Sequence, residues 1–408
     1  MTVWRDPKAR RILTANFLLV LGASITFMAI PWLIIQREKG NEILGYSNTI
    51  ITFLVLLLLP YFGKLVDRNS RKRVVLGYLL FGLTLNCTIA AWTAITGRVE
   101  LWHLLTVFSL GSLGATIYYP AQFALNQEIF ASEQYESLSG AIEIQWQAGA
   151  MIAGGLGAFL VGRVPLWFIL LLDSTTYLTS FLLLIGLPYK QKLKPANTDA
   201  WRMMFEGFTY LRERPRLTFV LLASFLPFMA LMVSNFLSPI FVHDVLKQGA
   251  EVYGIGEMSY AIGAIAAGLV IPHVNHRFGL VRTLLMTIGI FGVAVALNPL
   301  APMAIVFWFS FTFQGLGNAG ARVARSILVL KTVPNEIIGR VNLFYSGAER
   351  LLRSLTLFAA TSLITSFSAQ SAYWLLVVVV GIAWLMVWMC RGFREYPIAP
   401  TKPVVTAA

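Results

Sequence analysis

Apolar blocks of twenty residues or more follow one another along almost the whole chain, separated by short polar connections. A helix needs roughly 20 apolar residues to cross ~30 Å of hydrocarbon, so few folds other than a bundle of membrane-spanning helices are open to such a chain. Composition agrees, with 57% of residues hydrophobic and 12% charged, against roughly 25% charged in a soluble domain. A soluble protein of buried helices would show shorter, amphipathic segments. Twelve candidate spans have cores near 12–36, 44–64, 73–96, 100–125, 137–161, 166–188, 217–243, 252–273, 280–299, 302–325, 338–366 and 371–390. The first is too long for a cleaved signal peptide and lacks a small-residue cleavage site before a soluble domain.

The longest polar segment, 189–216, divides the spans six and six. Its apolar residues Trp201, Met204, Phe205, Phe208 and Leu211 have helical spacing, which predicts an amphipathic helix lying on the membrane face. The division implies an internal duplication. Residues 1–188 would form one six-helix bundle, 189–216 a cytoplasmic linker, and 217–408 a second bundle with a short cytoplasmic tail. A faint repeat supports this: aligning Arg68 with Arg277 sets His276 opposite Asp67 and Gly279 opposite Ser70.

Charge sets the orientation. With the N-terminus inside, the inner segments hold Arg5, Lys8, Arg10 and Arg11, the run Lys64 to Arg73, the linker from Lys190 to Arg216, and Arg277, Arg282, Lys331, Arg340, Arg391 and Arg394. The outer ones hold Arg37, Lys39, Arg98, Arg163 and Lys247. Lys and Arg retained on the cytoplasmic side is the positive-inside rule, and the net charge of +13 therefore reports topology and contact with anionic lipid. Charges scattered over short loops do not make a nucleic-acid surface. Cys87, Cys390 and the four His residues show no ligand spacing, so neither a metal nor another cofactor is expected. No phosphate-cradling loop points to ATP-driven pumping. The cluster "GLGNAG" at 315–320 lies inside a span and is expected to serve close helix packing.

The loop "GKLVDRNSRKR" between spans 2 and 3 resembles the G-x-L-a-D-r-x-G-r-k motif of the major facilitator superfamily through Gly63, Leu65, Asp67, Arg68, Arg71 and Lys72. Ser70 replaces the second glycine, which makes the turn less permissive. "FEGFTYLRERPRL", "VPNEIIGRV" and "RRILTANFLLVLGASITFMAIPWLI" resemble the macrolide-efflux-like drug:proton antiporter branch. The resemblance covers nearly the whole chain and implies twelve transmembrane helices in two pseudo-symmetric bundles. It departs at Gly111, where an arginine is common, at Ala23, where an acid is common, and at Gly149–Gly154, where the span 5 motif lacks its proline. It implies that Gly63, Asp67, Arg68 and Arg71 form a cytoplasmic gate, with Asp67 near Arg71 and the start of span 11. A carboxylate is favoured at a helix N-terminus by about 0.3–2 kcal/mol.

Charged residues inside spans are costly in hydrocarbon and so face a cavity or a partner. Glu349 and Arg353 are four apart and share a helix face, which leaves Arg350 to find another mate such as Glu143. Glu143, Trp146 and Gln147 offer an acid, an aromatic ring and an amide to a bulky amphipathic ligand, and the amides Gln314 and Asn318 of span 10 join Trp146 and Gln147 as cavity candidates. Glu257 and Asp173 complete the proton-coupling candidates Glu143, Glu349, Arg350 and Arg353. Asp173 lies on a helix that the resemblance makes a peripheral support. Arg322 and Arg325 are expected to snorkel, and Trp32, Trp374, Trp384 and Trp388 to face lipid or lie at the interface.

The expected function is a secondary transporter in the inner (plasma) membrane, not an enzyme. It would export a hydrophobic or amphipathic small molecule, with protons and membrane lipids as its other partners. Siderophore export and lysophospholipid flipping are alternatives on the same fold. A non-transporting sensor or scaffold would have no reason to bear mid-membrane charge. Cysteines introduced at Asn69 and Asn197 should react with an impermeant maleimide only from the cytoplasm, and one at Gln248 only from outside; the reverse pattern overturns the orientation.

Overall fold

The computed structural model describes residues 5–130, 134–189, 200–333 and 335–391. They form thirteen helices. The first six are α1 (Pro7–Ile35), α2 (Gly40–Arg68), α3 (Arg71–Thr96), α4 (Leu101–Ile129), α5 (Tyr135–Leu160) and α6 (Leu166–Ile185). Then follow α7 (Ala200–Arg212), α8 (Pro215–Ile240), α9 (Ala250–Phe278), α10 (Leu280–Leu300), α11 (Ala304–Thr332), α12 (Asn335–Ser366) and α13 (Ala369–Met389). Among the described residues, nine helices are long and apolar enough to cross a membrane. The three other long helices, α5, α11 and α12, carry Glu143, the pair Arg322 and Arg325, and the trio Glu349, Arg350 and Arg353.

Local chemistry explains the boundaries. Asp6 caps α1 by accepting from the Lys8 amide at 2.8 Å, and Pro7 fills the first helical position, where a missing N–H costs nothing. Ser70 has φ −60° and ψ 120°, extended backbone open to any residue, so its replacement of glycine imposes no strain. It is the N-cap of α3, accepting from the Arg73 amide at 3.5 Å. Its counterpart Gly279 has φ +81°, a conformation that favours glycine.

The helices pack as two groups with the same internal plan. α1 packs on α5 and α6, and α3 on α4 and α6; correspondingly α8 packs on α12 and α13, and α10 on α11 and α13. The groups meet along α2–α12 and α5–α9, pairs that exchange under the same correspondence. α7 lies across α12, where Gly207 fits against the Arg340 backbone. It exposes Phe205 and Phe208.

The two ends of the bundle differ. At the end bearing the α1–α2 loop, contacts run between the groups. The Asn41 amide donates to Asp244 at 2.5 Å, Arg163 pairs with Glu251 at 3.7 Å, and Trp32 packs edge-on against His243 at 5.8 Å. Gly45 closes on Thr361, and Gly154 on the Gly254 carbonyl. Trp32 is thus buried, because it fills this seal instead of facing lipid. At the opposite, basic end the ties described lie within a group. Lys72 donates to the carbonyls of Ile185 and Leu187, both at 2.7 Å, and Arg11 to that of Gly186 at 3.2 Å. These cations satisfy the terminal carbonyls of α6. The corresponding helices α4 and α11 each pack on helices of their own group. Among the described residues the side-chain contacts between the groups therefore concentrate at the α1–α2 end, while at the basic end α2 touches α7.

Glycine permits the closest helix contacts. A Cβ on Gly315 would lie 2.0 Å from the Tyr260 carbonyl oxygen, and one on Gly263 1.8 Å from that of Thr312. Gly315→Val should therefore cost about 1–3 kcal/mol through overpacking and lower the thermal unfolding midpoint in detergent. Gly77→Ala, which meets nothing within 4 Å, should not lower it.

Candidate functional site

The charged residues of α12 sit at mid-helix, and helical spacing decides where they point. Leu351, Leu355 and Phe358 form the exposed apolar stripe of α12. Glu349 and Arg353 lie on the other side, both largely buried, with Arg353 Nε 3.4 Å from Glu349 Oε1. The pair is close enough for attraction but misaligned for a hydrogen bond, and neither of those atoms has another hydrogen-bond partner. Arg350 lies on the face of Leu357 and Thr361, the face that meets Gly45 of α2. It therefore looks toward the first group of helices.

α8 and α11 complete the wedge. Arg325 turns inward and does not snorkel: its Nη1 donates to the Ser224 carbonyl at 3.1 Å, and its guanidinium sits 3.8 Å from the Phe225 ring centroid. A cation over an aromatic face gains about 0.5–2 kcal/mol, which holds the side chain between helices. Phe225 in turn stacks on Tyr345, centroids 5.0 Å apart, and the Tyr345 hydroxyl donates to the Thr218 carbonyl at 3.2 Å. Arg325 lies within electrostatic range of both Arg322 and Glu349. The wedge between α8, α11 and α12 thus gathers Arg325, Arg350 and Arg353 around the carboxylate of Glu349, over a stacked aromatic pair.

The other sequence candidates fall elsewhere. Gln314 and Asn318 are fully buried in helix contacts: Ser234 donates to Gln314 at 3.4 Å, Gln314 to Ser310 at 2.8 Å, and Asn318 to the Tyr260 hydroxyl at 2.8 Å. Trp146 is partly exposed and meets Tyr119 edge-on at 5.3 Å, while Gln147 is buried. Glu257 lies where α5 meets α9, hydrogen-bonded to Tyr253, with its Oε1 buried and without a hydrogen-bond partner. Trp384 is tied to the Leu285 carbonyl at 3.1 Å, whereas Trp374 and Trp388 are exposed as expected of lipid-facing rings. The side chains of Glu143, Gly63, Asp67 and Arg68 lie outside the described residues.

Arg71 of the predicted gate reaches Glu128 at the end of α4, 4.0 Å away. The Tyr189 hydroxyl donates to the same carboxylate. Partial burial, and then Glu128, push the Tyr189 hydroxyl up to about 12, so it remains a donor at physiological pH. Neither Glu128 nor Tyr189 falls in a recognisable motif. Only the folding of the α3, α4 and α6 ends onto one another identifies them. Among the described residues no group of His, Cys, Asp or Glu has the arrangement of a metal site.

Asp173 is buried at the meeting point of α1, α3 and α6. Its Oδ2 accepts from Thr26 and from Asn86, both at 2.9 Å, and Thr176 lies 3.3 Å from its Oδ1. Asp173→Ala strands those donors at about 1–3 kcal/mol each. It should lower the thermal midpoint while the folded fraction keeps its response to a pH gradient. Unchanged stability with loss of that response would instead make Asp173 a proton carrier.

Comparison with known proteins places the chain. The family model described as Major Facilitator Superfamily matches residues 12–256 and 246–407, and the chain belongs to that superfamily. It is 22% identical to macrolide efflux protein A of Streptococcus pyogenes over 329 residues, 79% of this chain and 80% of the relative. It is 24% identical to the enterobactin exporter EntS of Escherichia coli O1:K1 / APEC over 424 residues, 98% and 96% of the two chains. Among solved structures, a bacterial homologue of the iron transporter ferroportin in its inward-facing state superposes with a TM-score of 0.70 at 18% identity, covering 95% of this chain and 99% of that one. The protein is a multi-pass membrane transporter of that superfamily.

Proposed function

We propose that this member of the superfamily exports an amphipathic small molecule by alternating access, driven by proton entry, with its basic end and both termini in the cytoplasm. The observation that carries the reading is the asymmetry of the two ends. Side-chain latches between the groups lie at the α1–α2 end, and α4 and α11 each pack on helices of their own group. A transporter caught this way is ready to load from the basic side. The positive-inside rule makes that side the cytoplasm. Relatives named for macrolide efflux and enterobactin export support the outward direction.

Reversal requires the seal to be weak enough to break. The Arg163–Glu251 pair is half-exposed, and such pairs contribute about 0–1 kcal/mol. Proton and substrate binding of a few kcal/mol can therefore shift the balance between the two states.

Glu143 is assigned as proton carrier, since Glu349 already has Arg353 beside it. Reconstituted vesicles with an imposed pH gradient test the reading. The parent should export under the gradient, and Glu143→Gln should lose gradient-driven export while retaining substrate binding, because the amide mimics the protonated acid. A Glu143→Gln variant that transports like the parent removes Glu143 from the role. A parent that ignores the gradient but flips lysophospholipid replaces the reading with a flippase.

A further inference from the structure

We propose that Arg350, with Arg325 and Arg353 behind it, is an anion subsite facing the first group of helices, and that the exported molecule is an amphipathic carboxylate whose negative charge docks on it. The inference rests on the export reading and adds the substrate's charge.

Three observations carry it. The first is the charge balance. Among the described residues, Arg325, Arg350 and Arg353 surround one carboxylate, Glu349, which is 3.4 Å from Arg353 and within electrostatic range of the other two. Charge left uncompensated at mid-membrane is expensive, and an anion that visits the site offsets it. The second is the state of Arg350. It is half-buried, and its guanidinium forms no hydrogen bond or ion pair among the described residues. A guanidinium presents paired N–H donors that match a carboxylate bidentately, and Arg350 has all of them available. The third is placement. Arg350 shares a helix face with Thr361, which meets α2, so it looks toward the first group of helices, while Arg325, held over the Phe225 ring, and Arg353 add positive charge behind it. An anion meets that charge favourably; a cation would meet three guanidiniums.

Binding to the purified full-length protein in nanodiscs of neutral lipid tests the subsite. The probes are radiolabelled salicylate and salicylamide, the same ring with and without a carboxylate. A charge-assisted hydrogen bond contributes about 1.5–3 kcal/mol, and each 1.4 kcal/mol is tenfold in affinity. Salicylate should therefore bind at least about tenfold more tightly than salicylamide. Arg350→Gln should remove that preference without weakening salicylamide, and Arg350→Lys should restore part of it. The partial rescue separates a charge contact from a loss of fold, as does an unchanged thermal midpoint.

Equal binding of the two probes overturns the proposal. So does salicylate binding that Arg350→Gln leaves intact, or no salicylate binding at millimolar concentration. Anionic phospholipid that copurifies with the parent, is lost in Arg350→Gln and resists displacement by salicylate also overturns it, since the wedge would then serve a lipid headgroup. None of these results touches gradient-driven export, which the vesicle experiment reads separately.

Discussion

Hydrocarbon offers no hydrogen bonds, and every other feature of this protein answers to that fact. Backbone N–H and C=O groups must be satisfied within each segment, so the spanning chain is helical throughout. The same constraint sorts side chains. Leu351, Leu355 and Phe358 are exposed along one stripe of α12, while Glu349 and Arg353 on the other side are buried. Asp173 is tolerated in the core because Thr26 and Asn86 both donate to it. Where helices must approach each other without a hydrophobic drive, small residues let backbones come close. Gly315 and Gly263 do this between α9 and α11, and Gly154 does it between α5 and α9.

That last contact links packing to function. The groups touch through α5–α9 and α2–α12, and the tightest approaches, Gly154 on Gly254 and Gly45 on Thr361, lie toward the α1–α2 end. A seal built from glycine contacts and a few exposed polar latches is broad but shallow in energy, as a reversible gate requires. The basic end is organised differently. Lys72 and Arg11 hold the end of α6, and Arg71, Glu128 and Tyr189 join the ends of α3, α4 and α6. These ties stiffen one bundle, so that it can move as a unit against the other. The α7 helix, held to α12 by the 2.8 Å Arg340–Glu206 pair, extends the second bundle at the same end.

The arginines of α11 and α12 show how burial changes a residue's role. Near a helix end, a long cation lowers its energy by reaching for water. Arg325 has a better alternative, a carbonyl at 3.1 Å and a ring at 3.8 Å, and it stays inside. This concentrates positive charge near Glu349, which among the described residues faces three guanidiniums. The wedge is therefore polarised in the direction of an anion.

Much of this was legible in the residues alone. Periodic apolar blocks specify helices of membrane-spanning length because each must cover the hydrocarbon by itself, and the helices α1 to α6 and α8 to α13 coincide with the twelve expected spans. The amphipathic spacing of 201–211 specified α7, and the i, i+4 spacing of Glu349 and Arg353 specified their pairing. These are local properties, set by the rise and pitch of one helix. What one helix touches is not local. Ser70 in place of glycine makes the turn less permissive, and only its φ of −60° and its N-cap bond show that the turn needs no such freedom. Trp32 looked like a lipid-facing ring until His243 came up against it, and Arg325 looked like a snorkelling cation until Phe225 did. Glu128 and Tyr189 had no signature at all, since their meeting depends on helix ends far apart in the chain. Where the two groups latch together was likewise decided by tertiary structure alone, because it rests on contacts between distant helices that the spacing of residues does not encode.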